Sequence, residues 1–122
     1  IKLSVTVILG LGELQNSIIH AQETGRVISA IDPNFVGVLS LMITPNTPLF
    51  KMWESGIFIK ISLKDEMKEL KVMVENTNLS RGIFSVNHAS NPIPIQARMP
   101  KEKQATLEFL ESTIDQLKTV QP

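Results

Sequence analysis

The fold of this chain is decided by residues 3–12, which read LSVTVILGLG. The run is short, rich in β-branched residues and closed by Gly10 and Gly12, which is typical of a β-strand that ends in a turn. Its apolar residues are nearly continuous and do not strictly alternate with polar ones. This pattern predicts a strand covered on both faces, as in a parallel sheet.

Helix and strand signals alternate along the rest of the chain. The expected elements are a helix from about Asn16 to Ile31, a strand at 35–43, a short helix at 49–54, a helix that begins at a capping box of Ser62 and Asp65, a strand at 83–86, and a helix that Pro100 opens. This order indicates βαβ units and an α/β fold, with about three parallel strands, flanking helices and one domain over residues 1–122. Such a unit is either a small three-layer domain or a portion of a barrel.

Two of the helices carry features that bear on packing. In the first helix, the apolar face is expected to consist of Ile18, Ala21, Ile28 and Ile31. Gly25 lies in the middle of that helix and costs about 1 kcal/mol relative to alanine unless close packing requires it. In the helix after Ser62, Asp65, Glu66 and Glu69 alternate with lysines, which is the pattern of a solvated helix face.

The composition excludes several classes of function. Twelve basic and twelve acidic residues cancel, so no charge signal points to nucleic acid or to an anionic membrane. The chain has no cysteine, so it cannot itself form a disulfide or hold an iron–sulfur cluster through thiolates. The apolar runs are far shorter than the roughly 20 residues of a membrane-spanning helix. We expect a cytoplasmic protein, and a chain that opens inside a strand at Ile1 resembles a piece of something larger.

Candidate functional residues follow the strands. In parallel α/β folds, the loops at the carboxyl ends of the strands form the site, and here these are residues 10–16, 44–48 and 87–91. Gly10-Leu11-Gly12 is either a bare turn or a place where the backbone approaches a flat ligand. Glu13 could simply compensate the charge of the helix N-terminus. His20 is expected to be structural, whereas His88 beside Asn87 could meet a ligand.

The assembled motifs resemble those of radical S-adenosylmethionine proteins, the Fe–S oxidoreductases related to elongator acetyltransferase, methylthiotransferase and nitrogenase-cofactor proteins. The resemblance covers nearly the whole chain in order, and its parts are residues 7–12 (VILGLG), 20–24 (HAQET), 31–33 (IDP), 39–42 (LSLM), 45–49 (PNTPL) and 86–91 (VNHASN). Four positions depart from the family pattern: Thr6, Glu13 and Asn46 stand where glycine is usual, and Gly25 stands where alanine is usual.

The resemblance implies a partial (β/α) barrel of which this chain supplies the later strands. Ile8, Gly10 and Glu13 match the family's fifth-strand pattern, which lies against the adenine of S-adenosylmethionine. By the same likeness, the cofactor-binding residues are Ile8, Gly10, Gly12, Glu13, Leu41 and Met42. The substrate-facing residues are Thr44, Asn46, Asn87 and His88. The family's three cluster-binding cysteines belong to an earlier strand.

The leading functional hypothesis is therefore a C-terminal fragment of a radical S-adenosylmethionine enzyme, inactive alone. S-adenosylmethionine and a [4Fe–4S] cluster would serve the full-length parent, with no cofactor bound tightly to this chain. Its partners would be the missing N-terminal half of the barrel and, through an exposed sheet edge, a second copy of the chain. The alternatives are a non-catalytic ligand- or protein-binding α/β module and a hydrolase using His88, for which no nucleophile is recognisable.

Overall fold

A computed structural model describes residues 2–86 and 94–120. Its elements are β1 (Ser4–Leu9), α1 (Ser17–Ile31), β2 (Phe35–Ser40), α2 (Pro48–Glu54), α3 (Leu63–Asn76), β3 (Gly82–Ser85), β4 (Gln96–Met99) and α4 (Lys103–Val120). The α/β class is confirmed. In this part of the chain, no helix is both long enough and apolar enough to cross a lipid bilayer.

The described strands form one mixed sheet in the order β1-β2-β3-β4. β1, β2 and β3 are parallel, and β4 pairs antiparallel with β3. The three parallel strands were expected from the sequence, but β4 was not. Spatial order follows chain order, so each crossover moves the chain one strand further in the same direction.

The register separates the side chains of the sheet into two faces. On the covered face lie the buried residues Leu9, Val36, Val38, Phe84, Ala97 and Met99. These residues share one core with α1, α3 and α4, through Ala21, Ile28, Met67, Leu70, Met73, Leu110 and Ile114 among others. The three long helices therefore lie on a single face of the sheet.

The opposite side of the sheet, the open face, carries Ser4, Thr6, Ile8, Phe35, Gly37, Leu39, Ile83, Ser85, Gln96 and Arg98. None of these residues is buried. The prediction that β1 is covered on both faces is therefore wrong for the described chain. The small and polar residues Ser4 and Thr6 point to the open face, which is why the apolar run of β1 contains them.

The helix layer depends on a close contact between α1 and α3 at Gly25. A β-carbon at Gly25 would lie 2.7 Å from Cβ of Asn76 and 2.9 Å from the carbonyl oxygen of Met73. Beside it, the Ser29 hydroxyl donates to the Asn76 carbonyl over 3.1 Å and accepts from the Asn78 amide over 2.8 Å. Gly25 therefore lets the two helix backbones meet. Close packing of this kind is the condition under which a glycine is expected inside a helix.

Several helix ends and faces differ in detail from the expectations. Ser62 caps α3 as predicted, because its hydroxyl accepts the Asp65 amide over 3.2 Å. On α1, Ala21 and Ile28 are buried as predicted, but Ile18 and Ile31 are exposed. The last helix begins at Lys103, after a turn that Pro100 opens. β2 ends at Ser40, three residues before the predicted end.

Candidate functional site at the carboxyl edge of β1 and β2

The carboxyl ends of β1 and β2 lie side by side, and the loops that follow them are in contact. The Leu41 amide donates to the Leu9 carbonyl over 3.1 Å, which extends the pairing by one residue beyond β2. A β-carbon on Gly10 would lie 3.6 Å from Cβ of Leu41. Two residues before Gly10 and Leu41, Ile8 pairs with Leu39 on the open face. Ile8, Gly10 and Leu41, three of the predicted cofactor-binding residues, are thus neighbours.

Gly10 is required by its backbone conformation and not by the space around it. Its φ is +93°, a region that residues with side chains rarely adopt. A β-carbon there would make only ordinary contacts of 3.6–3.9 Å with Leu41 and Ile61. In this conformation the Gly10 amide donates to the buried Glu69 carboxylate over 3.0 Å.

Glu69 is the centre of a polar cluster beneath this edge. Its side chain is fully buried, and its oxygens also accept from the Ser17 hydroxyl over 2.7 Å and lie 3.3 Å from Nδ1 of His20. One carboxylate therefore joins the loop after β1, the first residue of α1 and α3. His20 has the structural, hydrogen-bonded role that the sequence predicts.

Glu66, one turn earlier on α3, is a second buried carboxyl group at the same edge. Burial raises the pKa of the Glu66 carboxyl group, and the charge of Glu69 raises it further. The Ser40 hydroxyl bonded to Glu66 and the nearby Lys60 lower this pKa and so oppose the rise. Oε1 of Glu66 is buried with no hydrogen-bond partner in the described structure. A buried oxygen in this state costs free energy until it takes up a proton or a partner.

The prediction that Glu66 and Glu69 lie on a solvated face is wrong. The sequence KDEMKELK alternates charges as an exposed helix does, and this pattern hid the burial. One signal pointed the other way. Glu66 lies four residues before Leu70 and Glu69 four residues before Met73, so both share the apolar stripe of α3.

Glu13 does not compensate the N-terminal charge of α1, which begins four residues later at Ser17. Its Oε1 instead accepts the backbone amide of Ile59 over 2.6 Å, and its own φ is +55°. The carboxylate therefore ties the loop after β1 to the segment before α3. Gly12 lies between Gly10 and Glu13 in the same turn.

The loop after β2 carries the remaining described candidates. Met42 is 64% exposed, and Thr44 and Asn46 are exposed as well. The Thr47 hydroxyl donates to the Thr44 carbonyl over 2.8 Å, and Asn46 has a φ of +66°, a conformation that asparagine accepts better than most residues. Substrate contact by Thr44 and Asn46 stays a prediction. Asn87 and His88 lie outside the described residues.

Large apolar side chains are exposed in the loops around this edge. They are Leu11, Leu14, Met42, Ile57 and Ile59. Ile59 lies beside Glu13 through the amide contact described above, so the segment before α3 borders the loop after β1. The edge therefore combines an exposed apolar surface with a buried acidic cluster beneath it.

The polar cluster lacks the order of a hydrolytic triad. In a triad, histidine bridges the nucleophile and the acid, whereas here Glu69 bridges Ser17 and His20. Within residues 2–86 and 94–120, no group of three His, Asp or Glu side chains is placed to hold a metal ion.

Comparison of the chain with protein-family models, with curated proteins and with solved structures finds no match.

Proposed function

We propose that this chain supplies one wall of a (β/α) barrel that binds S-adenosylmethionine at the carboxyl edge of β1 and β2, as the C-terminal part of a radical S-adenosylmethionine enzyme. The observation that carries the proposal is the open face. Parallel strands in chain order, with their long helices all on one side, are the arrangement of a barrel segment. In a doubly wound sheet, the strand order reverses and helices cover both faces.

A second observation supports a missing neighbour on the β1 side. β1 is an edge strand of the described sheet. Ser29 of α1 faces α3, so Val27 and Ile31, two positions away on either side of it, lie on the flank that points away from α3. Both are exposed, 52% and 44%. A preceding strand and helix of a barrel would cover this edge and this flank together.

The residues at the carboxyl edge fit an adenine ring. Ile8 and Leu39 lie side by side on the open face, Leu41 lies next to Gly10, and Met42 is exposed beyond them. Together they form an apolar surface at the edge where parallel α/β folds bind ligands. In this proposal Gly12 and Glu13 complete the turn that borders the ring.

The chain has no residues that fit the family's iron–sulfur cluster, because it contains no cysteine. The thiolate ligands would belong to the other part of the barrel. We therefore expect the chain alone to be catalytically silent and to bind S-adenosylmethionine weakly, through half a site. A chain without disulfides suits the reducing cytoplasm, where the proposal places the parent enzyme.

One observation favours a second candidate, a non-catalytic ligand- or protein-binding module. β4 runs antiparallel to β3 and ends the described sheet, whereas a regular (β/α) barrel continues with parallel strands. A sheet closed in this way suits a small self-contained unit. The open face would then be a docking surface and not an inner wall.

Calorimetric titration with S-adenosylmethionine tests the leading proposal, using two matched isoleucines on the open face. Ile8 lies at the carboxyl end of β1 and Ile83 at the amino end of β3, and both are half-buried. We expect Ile8→Asn to weaken binding about tenfold, because a polar amide replaces part of the ring's apolar contact, and Ile83→Asn to leave it unchanged. Equal effects of the two variants, or no binding to wild type, would contradict the adenine wall.

A further inference from the structure

A separate cavity lies at the amino end of the open face, away from the carboxyl edge. Its volume is about 760 Å³, within the usual range for small-molecule sites. Four cationic residues line it, Lys2, Arg81, Arg98 and Lys101, and they come from four different segments of the chain. We call this cavity the basic pocket. No acidic residue is among those that line it.

The charge of the basic pocket is unusual for this chain, which is neutral overall. The chain has three arginines, and two of them line the pocket, whereas Arg26 is paired with Glu23 on α1. Across residues 2–86 and 94–120, the ion pairs involve none of the four pocket cations. The Glu102 carboxylate lies close by, but its oxygen accepts the backbone amide of Arg98 over 2.8 Å. Four cations without a paired acid attract an anion.

The floor of the basic pocket adds an aromatic surface. Phe35 is 39% exposed, and its ring lies over Gly37, where a β-carbon would be 3.2 Å from Cε1 of the ring. The absent side chain at Gly37 therefore lets the ring lean across the open face. Ile83, paired with both Phe35 and Arg98 in the sheet, completes an apolar floor beneath the guanidinium groups.

We propose that the basic pocket binds a nucleotide-type ligand, an anion with two or more phosphate groups attached to an aromatic base. Arginine and lysine side chains hold the phosphates, and the base stacks on Phe35. The volume of the basic pocket, about 760 Å³, is that of a small-molecule site and accommodates one nucleotide, which favours a small molecule over a nucleic acid strand. The proposal uses the end of the strands opposite the carboxyl edge, so it stands without the proposed function.

The probes for the test are ADP, pyrophosphate and adenosine, titrated calorimetrically into the full 122-residue chain. We expect ADP to bind best, pyrophosphate more weakly and adenosine least, and added salt to weaken the binding of both anions. Arg98→Gln should weaken ADP binding about tenfold or more, the loss of one charged hydrogen bond, while Arg26→Gln leaves it unchanged. Phe35→Leu should weaken ADP binding but not pyrophosphate binding.

Three results would overturn the proposal: no binding of ADP by wild type, equal losses for Arg98→Gln and Arg26→Gln, or an affinity for oligouridylate that exceeds that for ADP and increases with oligonucleotide length. The last result would identify a nucleic acid surface instead. Because the replaced side chains are exposed, each variant is expected to unfold at the wild-type urea concentration, and that measurement accompanies the titrations.

Discussion

Glu69 shows how a single residue organises the proposed site. Its buried carboxylate accepts from the Gly10 amide and the Ser17 hydroxyl and contacts Nδ1 of His20. The left-handed backbone of Gly10 turns the chain at the point where Glu69 holds this amide. The loop after β1, where we propose the adenine wall, is therefore held from beneath by a residue that lies outside that loop.

Replacing Glu69 with glutamine should lower the free energy of unfolding by about 2 kcal/mol. The amide keeps the shape but removes the charge, and its NH₂ group faces a donor where the carboxylate offered an acceptor. Urea denaturation measures the effect. The control is Glu75→Gln on the exposed side of the same helix, for which we expect a change within about 0.5 kcal/mol. A similar loss in both variants would contradict the role of Glu69.

Glu66→Gln should change the pH dependence of stability. Burial raises the pKa of Glu66 above its ordinary 4.5, so the folded state binds this proton more tightly than the unfolded state does. The contribution of Glu66 to stability is therefore fully present below pH 4.5 and is lost as pH rises through the folded pKa. We expect the variant to be more stable than wild type at pH 8 and to lose this advantage as pH falls to 4.

Denaturation of both proteins across this pH range measures the difference, with Glu108→Gln on the exposed face of α4 as the control. A stability difference between Glu66→Gln and wild type that does not vary with pH would rule out the proposed titration.

At the residue scale, the sequence could predict the turn at Gly10 and the structural role of His20 from local signals. The burial of Glu66 and Glu69 was missed because the alternating charges of α3 masked the apolar stripe that both residues share.

At the scale of elements, the contact between α1 and α3 holds the helix layer together, and Gly25 makes it possible. The sequence suggests this role without establishing it, because glycine in a helix is explained by any close approach. The helices and the three parallel strands could be predicted from capping residues and β-branched runs. β4 could not, because its four residues lie between prolines and gain strand character only by pairing with β3.

Gly25→Ala should destabilise the chain by about 1 kcal/mol net. Alanine favours a helix by about 1 kcal/mol, but here its methyl group would press on the backbone of Met73 and Asn76, and overpacking of this kind costs about 1–3 kcal/mol. Thermal and urea unfolding test this expectation. Gln22→Ala, at an exposed position of the same helix, is the control and should be neutral or slightly stabilising. A stabilised Gly25→Ala variant would show that the two helices are not in tight contact.

At the scale of the whole molecule, the open face and the β1 edge are two surfaces without a described partner. The parallel direction of β1, β2 and β3 could be predicted from the sequence, because helices between successive strands indicate βαβ units. The open face could not be predicted, because an apolar run does not show what covers its strand. Helices and another part of a barrel would give the same run.

We propose that two copies of the chain associate through the β1 edge. The carbonyls of Leu3 and Leu9 point to β2. Backbone groups of successive strand residues point to opposite sides, and Thr6 is three residues from each, so its amide points away from β2. Thr6→Pro removes that outward donor and should abolish self-association in sedimentation experiments, whereas Thr6→Val should preserve it. A wild-type chain that stays monomeric at every accessible concentration would contradict this association.

The adenine wall is tested most directly by mapping S-adenosylmethionine onto the chain by amide chemical-shift NMR, with Ile8→Asn as the variant. The predicted result is a set of shifted amides confined to residues 8–13 and 39–42, growing with ligand concentration and lost in the variant. Shifts confined to the amino end of the open face, or shifts that persist unchanged in Ile8→Asn, would contradict the account.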